Sequence, residues 1–127
     1  MNTVSFIQNY IEKMKVFQGI LLEYLENEDT EEDNFNRLLH YINEQQLSEN
    51  KHEFKVVLRS ISQIIFNYHT HNDYFNKFER IIKFYKEKIQ NYYTNVDIFF
   101  IFKNNKKILL FLFKEQILIP DLKLSKI

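Results

Sequence analysis

Glycine and proline are almost absent from this chain of 127 residues, which contains one of each, Gly19 and Pro120. Tight hairpins and phosphate-binding loops need glycine for positive φ angles, and many turns need proline for its fixed φ. The chain also contains no cysteine, which excludes disulfides, thiolate zinc sites and cysteine nucleophiles. We therefore expect helices joined by turns rich in asparagine and aspartate, and a cytoplasmic location.

The charges of the chain balance, because seventeen basic residues face seventeen acidic ones. A neutral chain lacks the excess of positive charge that proteins use to bind phosphates or anionic lipid, so we predict no nucleic-acid partner. At the N-terminus, Gln8, Asn9 and Glu12 interrupt the apolar residues with helical spacing, and no export signal is visible.

Apolar residues recur every three or four positions in six segments, which predicts six amphipathic helices. The first predicted helix carries its apolar face at Val4, Ile7, Ile11, Met14, Phe17, Leu21 and Leu25. Gly19 lies inside this helix, and we interpret it as the mark of a close contact between helices. The fourth predicted helix carries Phe75, Phe78, Ile81, Ile82, Tyr85, Ile89 and Tyr92 on one face.

Capping patterns mark the starts of three further predicted helices. Thr30 precedes Asp33, Asn50 precedes Glu53 and Thr94 precedes Asp97, each by the three residues of a capping box. The sixth predicted helix runs from Lys107 to Leu118 and is stopped by Pro120.

Connections between the predicted helices are short, and short connections make neighbouring helices antiparallel. The predicted fold is all-α: about six antiparallel helices in hairpin pairs, in an ankyrin-like or bundle-like stack. We expect one helical domain over residues 1–119 and a C-terminal tail over residues 120–127.

The most apolar stretch, "NVDIFFIFKNNKKILLFLFKEQIL", spans Asn95 to Leu118. Three lysines and two asparagines lie in its middle. Each central lysine costs roughly 2.5–3.5 kcal/mol in a membrane, whereas each Leu, Ile or Phe returns only about 0.3–0.6 kcal/mol. We therefore predict no membrane span.

This stretch is apolar on more than one side, which raises the question of what buries it. On the sixth predicted helix, one apolar stripe consists of Leu109, Leu112, Phe113 and Ile117, and a second consists of Ile108, Phe111 and Leu118. On the fifth predicted helix, Phe100 points away from its apolar neighbours. One interpretation is ordinary core. The other is an uncapped end of a helical stack, which a partner or a further repeat must cover. On the second interpretation, Phe100, Ile108, Phe111 and Leu118 form the partner-contact surface.

Three blocks in order carry a family resemblance: "YIEKMKVFQGILLEYLENEDTEEDNFNRLLHYINEQQLSENKHEFKVVLRSISQII", "FNYHTHNDYFNKFERIIKFYKEKIQNYYTN" and "DIFFIFKNNKKILLFLFKEQIL", of which "NNKKILLFLFKEQIL" is the most specific piece. The chain resembles the N-terminal ankyrin-like domain of unknown function in the large ankyrin-repeat protein family of parabasalid protists such as Trichomonas, from about Val4 to Ile119. The resemblance implies a protein-interaction role ahead of a run of ankyrin repeats. In that family the repeats would be expected to begin at the tail, and the sequence has no "TPLHxA" ankyrin signature. The chain is therefore either a fragment or a short stand-alone member.

Chemical sites have weak support in the sequence. His69, His71 and Asp73 are the best metal candidates, but a structural site needs about four ligands, and solvated loop histidines explain the pattern equally well. Tyr92 and Tyr93 could stack on single-stranded nucleic acid, although a core-facing Tyr92 beside an exposed Tyr93 explains them without a ligand. Because motifs for catalysis or phosphate binding are absent, we predict no catalytic residues, no metal and no cofactor.

The function predicted from the sequence is a non-catalytic protein-protein interaction or scaffold module, the N-terminal cap region of an ankyrin-repeat type protein. Its predicted partners are another protein or further ankyrin repeats. Two alternatives remain: an enzyme with a dispersed, motif-free site, and a helical adaptor that self-associates through its first helix. The sequence does not predict the partner's identity or the oligomeric state.

Overall fold

A computed structural model describes residues 3–27, 29–67 and 72–119 of the chain. This part contains seven helices and no strand: α1 (Thr3–Glu26), α2 (Glu31–Glu44), α3 (Lys51–Asn67), α4 (Asn72–Phe84), α5 (Lys86–Tyr92), α6 (Asn95–Phe102) and α7 (Lys106–Lys114). The chain is therefore all-α, as its sequence predicts. The chain forms two compact units, Met1–Glu53 and Phe54–Ile127.

The helix count exceeds the predicted six because the fourth predicted helix is divided at Tyr85. The backbone of Tyr85 has φ −96° and ψ 12°, which separates α4 from α5. Tyr85 and Ile89 are nevertheless both buried, so the predicted apolar face continues across the break. The spacing of apolar residues predicts the shared face but does not predict the local change in backbone angles at Tyr85.

In the first unit, α1 and α2 form an antiparallel hairpin. The ring centres of Tyr24, near the end of α1, and Phe35, near the start of α2, are 5.5 Å apart. At the opposite end of the hairpin, the Tyr41 hydroxyl donates a hydrogen bond to the carbonyl oxygen of Lys13 over 3.1 Å. About two turns of α1 before Lys13 therefore extend past the end of α2.

The apolar face predicted for α1 divides at this point. Phe17, Leu21 and Leu25 are buried, whereas Val4 and Ile7, together with Ile11, are exposed in the extending turns. A helix of 24 residues is too long for a partner of 14 residues to cover, so the first turns of α1 keep an open apolar face.

Gly19 does not mark a close contact between helices, which corrects the interpretation from the sequence. The residue is exposed, and no atom lies within 4 Å of the position that a Cβ would occupy. Glycine at this position only increases the conformational entropy that the helix loses on folding.

Helices α2 and α7 end in the same way, with a glutamine in the left-handed conformation. Gln46 has φ 56° and Gln116 has φ 60°. Each lies in a Schellman motif: the amide of Leu47 donates to the Ile42 carbonyl over 2.9 Å, and the amide of Ile117 donates to the Leu112 carbonyl over the same distance. The side chains of Ile42 and Leu47 are buried, as are those of Leu112 and Ile117, and this burial holds both turns in place without glycine.

Two of the three predicted capping patterns act as caps. Thr94 and Asp97 form a complete capping box at α6, and the Asn50 side chain accepts hydrogen bonds from His52 and Glu53 at α3. Thr30 does precede α2, but its side chain makes no capping hydrogen bond and accepts one from the Asn34 side chain instead.

The second unit is built around two groups of aromatic rings. Phe54 lies fully buried with its ring centre 5.2 Å from that of Tyr85 and 6.5 Å from that of Tyr93. In the other group, Phe78 contacts Phe102 and Phe111, with ring centres 6.1 and 6.3 Å apart. Such buried aromatic pairs contribute about 0.5–1.5 kcal/mol each beyond their burial.

Polar contacts fix the chain that follows α7. The Gln90 side chain donates to the carbonyl oxygen of Gln116 over 2.9 Å, and the amide of Ile119 donates to the Asn95 side chain over 3.1 Å. Since Asn95 begins α6 and Ile119 follows α7, these two helices are antiparallel, as predicted.

Candidate functional site

The four residues predicted to contact a partner do not share one surface. Phe100 is exposed, whereas Ile108, Phe111 and Leu118 are buried within the protein. The second apolar stripe of the sixth predicted helix is therefore core in this structure, which corrects the prediction that an outside layer covers it. Of the four, Phe100 alone presents a side chain that a partner can reach.

Aromatic residues of α4 cover the second stripe from within the chain. The ring centre of Phe111 lies 6.2 Å from that of Phe75 and 6.3 Å from that of Phe78. Helix α7 buries Ile108, Phe111 and Leu112 and leaves Leu110 exposed, so its core face includes residues from both predicted stripes.

Phe100 lines a groove of about 210 Å³ between α3 and the end of α6. We call it the Phe66–Phe100 groove, and its lining residues are Arg59, Ser62, Gln63, Phe66, Phe100, Ile101, Lys103 and Asn104. The four residues from α3 are spaced by three, one and three positions, so a single helix face supplies one wall. Ser62 and Ile101 are buried, and the other six residues are exposed.

Two exposed rings and two cations give this groove its chemistry. The side chains of Phe66 and Phe100 are 47% and 42% exposed. The ammonium nitrogen of Lys103 lies 4.9 Å from the centre of the Phe100 ring, and Arg59 makes no ion pair with the described part of the chain. None of the described residues that line the groove is acidic. It can therefore accept an apolar side chain and a carboxylate together.

A second groove, of about 610 Å³, lies between α5 and the end of α7. Its lining residues are Lys86, Gln90, Phe113, Gln116, Leu118 and Ile119. Leu118 is fully buried there, and Ile119 is the last residue that the structure describes.

Metal-binding candidates are only partly described. His69 and His71 lie outside the described residues, and Asp73 is exposed at the start of α4. Within residues 3–27, 29–67 and 72–119, no three histidine, aspartate or glutamate side chains are grouped closely enough to hold a metal ion.

Tyr92 and Tyr93 are buried in the opposite order to the prediction of a core-facing Tyr92 beside an exposed Tyr93. Tyr93 is the buried residue and stacks beside Phe54, while Tyr92 is partly exposed. Burial raises the pKa of Tyr93 to about 12, and the nearby Tyr92 and Asp97 add to that shift. Burial also raises the pKa of Tyr85 above its usual value. These shifts follow from packing in the core.

Charge is divided unevenly between the two units, a feature that the total charge conceals. Residues 1–53 contain eleven acidic and four basic residues, whereas residues 54–127 contain six acidic and thirteen basic residues. The formal charges are thus −7 and +7. Counting charge along the sequence would have found this division, but a count over the whole chain averages it away. The Phe66–Phe100 groove lies on the basic unit.

No helix in the described part of the chain has the length and hydropathy of a membrane span. The structure therefore classifies the chain as all-α, with no membrane-spanning helix among its described residues.

Comparison with known proteins gives no match to a protein-family model, to a curated protein or to a solved structure. The resemblance to the ankyrin-repeat proteins of parabasalid protists therefore stays a prediction that depends on the sequence blocks themselves.

Proposed function

We propose that the chain is a non-catalytic protein-protein interaction or scaffold module, which acts in the cytoplasm and contacts its partner through the Phe66–Phe100 groove. The proposal keeps the function predicted from the sequence, including the N-terminal position before ankyrin repeats. It replaces the predicted four-residue surface by the groove in which Phe100 lies.

The observation that carries this proposal is the pairing of exposed rings with exposed cations in one groove. Aromatic side chains and arginine are the residues that contribute most at protein interfaces. Phe66, Phe100 and Arg59 bring both kinds together on the exposed sides of two helices, α3 and α6. Rigid helices position such residues better than loops do.

A parallel selection of displayed peptides tests this proposal. A peptide library is panned against the wild-type protein, a Phe100→Ser variant and a Leu110→Ser variant. Leu110 is 70% exposed and lines neither of the grooves described above, so its loss removes a similar apolar side chain elsewhere. We expect peptides enriched on the wild type to bind Leu110→Ser equally and to lose binding to Phe100→Ser. Equal binding to both variants would contradict the proposal.

A second candidate function, self-association through the first helix, is favoured by the open face of α1. Val4, Ile7 and Ile11 are exposed on one side of that helix, beyond the end of α2. Sedimentation velocity at two concentrations tests it with Ile7→Ser and with Val16→Ser, which removes an equally exposed residue on another side of α1. Self-association of the wild type that Ile7→Ser alone abolishes supports this function. A monomer at both concentrations excludes it.

A further inference from the structure

We infer that the Phe66–Phe100 groove binds an acidic peptide segment of a partner protein, a segment that carries an apolar anchor residue among its carboxylates. This inference depends on the proposed function, because it names the chemistry of the ligand for the same groove.

The charges of the groove point to a carboxylate ligand. Arg59 and Lys103 are exposed on its two walls, and none of the eight lining residues is acidic. A guanidinium without an ion-pair partner presents a planar pair of donors, which a carboxylate accepts through two parallel hydrogen bonds. A basic ligand would bring a positive charge to a groove that cannot neutralise it.

The surrounding unit favours the same sign of ligand at longer range. Residues 54–127 have a formal charge of +7, in contrast to the acidic first unit. Charge of one sign over a whole unit raises the rate at which oppositely charged partners arrive, and salt weakens the effect. The local pair of cations then selects among the acidic ligands that arrive.

The apolar residues of the groove require an anchor as well as charge. Phe66 and Phe100 border a volume of about 210 Å³. Small-molecule sites usually measure about 300–1,000 Å³, so this groove suits one or two side chains of a peptide. An aromatic or aliphatic anchor between the two rings would leave its neighbouring carboxylates close to Arg59 and Lys103.

A protein partner explains the groove better than nucleic acid does. Proteins that bind single strands combine stacked rings with cations that follow many phosphates along the strand. Here two cations accompany six uncharged residues, which suits a short acidic segment.

The acidic turn of a second copy of this chain is a poorer ligand. The run between α1 and α2 is rich in carboxylates, but Leu25 and Phe35 on either side of it are 2% and 6% exposed. It therefore offers charge without a reachable anchor.

Binding of designed peptides tests the inference. Three labelled peptides of equal length each carry a central phenylalanine, flanked by glutamate, glutamine or lysine. Their affinities are measured by fluorescence anisotropy with the full chain, with Arg59→Gln and with Lys106→Gln. Lys106 is an exposed cation of the same unit outside the groove, so its variant makes the same change in net charge.

We expect the glutamate peptide to bind about tenfold more tightly than the glutamine peptide, and the lysine peptide to bind most weakly. Arg59→Gln should lower the affinity for the glutamate peptide about fivefold or more, whereas Lys106→Gln should change this affinity less than about twofold. Added salt should reduce the differences in affinity among the three peptides.

Three outcomes would overturn the inference. Equal affinity for the glutamate and glutamine peptides excludes a role for charge, but leaves the proposed function intact if Phe100→Ser abolishes the binding of both. Displacement of the glutamate peptide by a lower concentration of single-stranded RNA assigns the groove to nucleic acid. A wild-type oligomer that Arg59→Gln dissociates during sedimentation assigns it to a second copy.

Discussion

The ammonium nitrogen of Lys103 lies 4.9 Å from the centre of the Phe100 ring, and both side chains line the same groove. At an exposed site such a contact contributes about 0.5–1 kcal/mol. The contact holds the cation beside the exposed ring while leaving its remaining donors free for a ligand. Phe100 thus belongs to a mixed apolar and cationic surface, a different environment from the purely apolar contact surface that was predicted from the sequence.

Replacing Phe111 by alanine should destabilise the protein strongly, while the same change at Phe100 should not. Phe111 is buried against the rings of Phe75 and Phe78, and deleting a buried phenylalanine costs about 3–5 kcal/mol. Phe100 is 42% exposed, so Phe100→Ala should cost less than about 1 kcal/mol. Urea unfolding followed by circular dichroism measures both values. Equal losses would contradict the assignment of Phe111 to the core.

Gly19→Ala should stabilise the protein by about 0.5–1 kcal/mol. The added methyl group meets no atom within 4 Å, and alanine loses less backbone entropy than glycine when a helix forms. Thermal unfolding at fixed pH should show a higher Tm for the variant. A lower Tm would mean that a close neighbour occupies this position.

Gln116→Gly should also stabilise the protein, by about 0.5–1 kcal/mol, because glycine adopts a positive φ without a steric cost. The φ of Gln116 is 60°, and the backbone hydrogen bonds of the Schellman motif do not involve its side chain. Gln18→Gly, inside α1, is the matched control and should destabilise the helix by about 1 kcal/mol. If both substitutions lower the free energy of unfolding, the left-handed assignment at Gln116 is wrong.

Alkaline pH should lower the free energy of unfolding, and the titration of Tyr93 should account for part of this loss. The folded state retains the phenol proton of Tyr93 up to a pKa of about 12, whereas an exposed tyrosine loses it near pH 10.0. The unfolded chain thus binds fewer protons over this range, and the free energy of unfolding falls by up to about 1.4 kcal/mol per pH unit. Urea unfolding between pH 9 and 12 should give a shallower decline for Tyr93→Phe than for the wild type. Identical declines would show that Tyr93 is solvated.

The helical spacing of apolar residues predicted most of the fold. The three-to-four spacing predicted α1 to within a residue, and the capping box at Thr94 and Asp97 placed the start of α6. Both signals are local: a face repeats within one helix, and a cap involves residues three positions apart. The break at Tyr85 and the left-handed Gln116 had no such signal, because burial of neighbouring side chains holds each of them in place.

The candidate site was only partly predictable, since it depends on which apolar residues face each other. Sequence spacing placed Ile108 and Phe111 on one stripe but could not show that Phe75 and Phe78 cover Phe111. The position of Phe100 beside Arg59 and Phe66 joins residues more than thirty positions apart, a distance that no local pattern spans. The division of charge between residues 1–53 and 54–127 was present in the sequence and needed a segment-by-segment count.

An NMR titration with a peptide selected on the wild-type protein tests the central claim most directly. The amide signals of the full chain are followed as the peptide is added. If the Phe66–Phe100 groove is the contact surface, the largest shifts will fall within residues 59–66 and 100–104. Shifts confined to residues 86–90 and 113–119, around the second groove, or to the first turns of α1 would contradict the account.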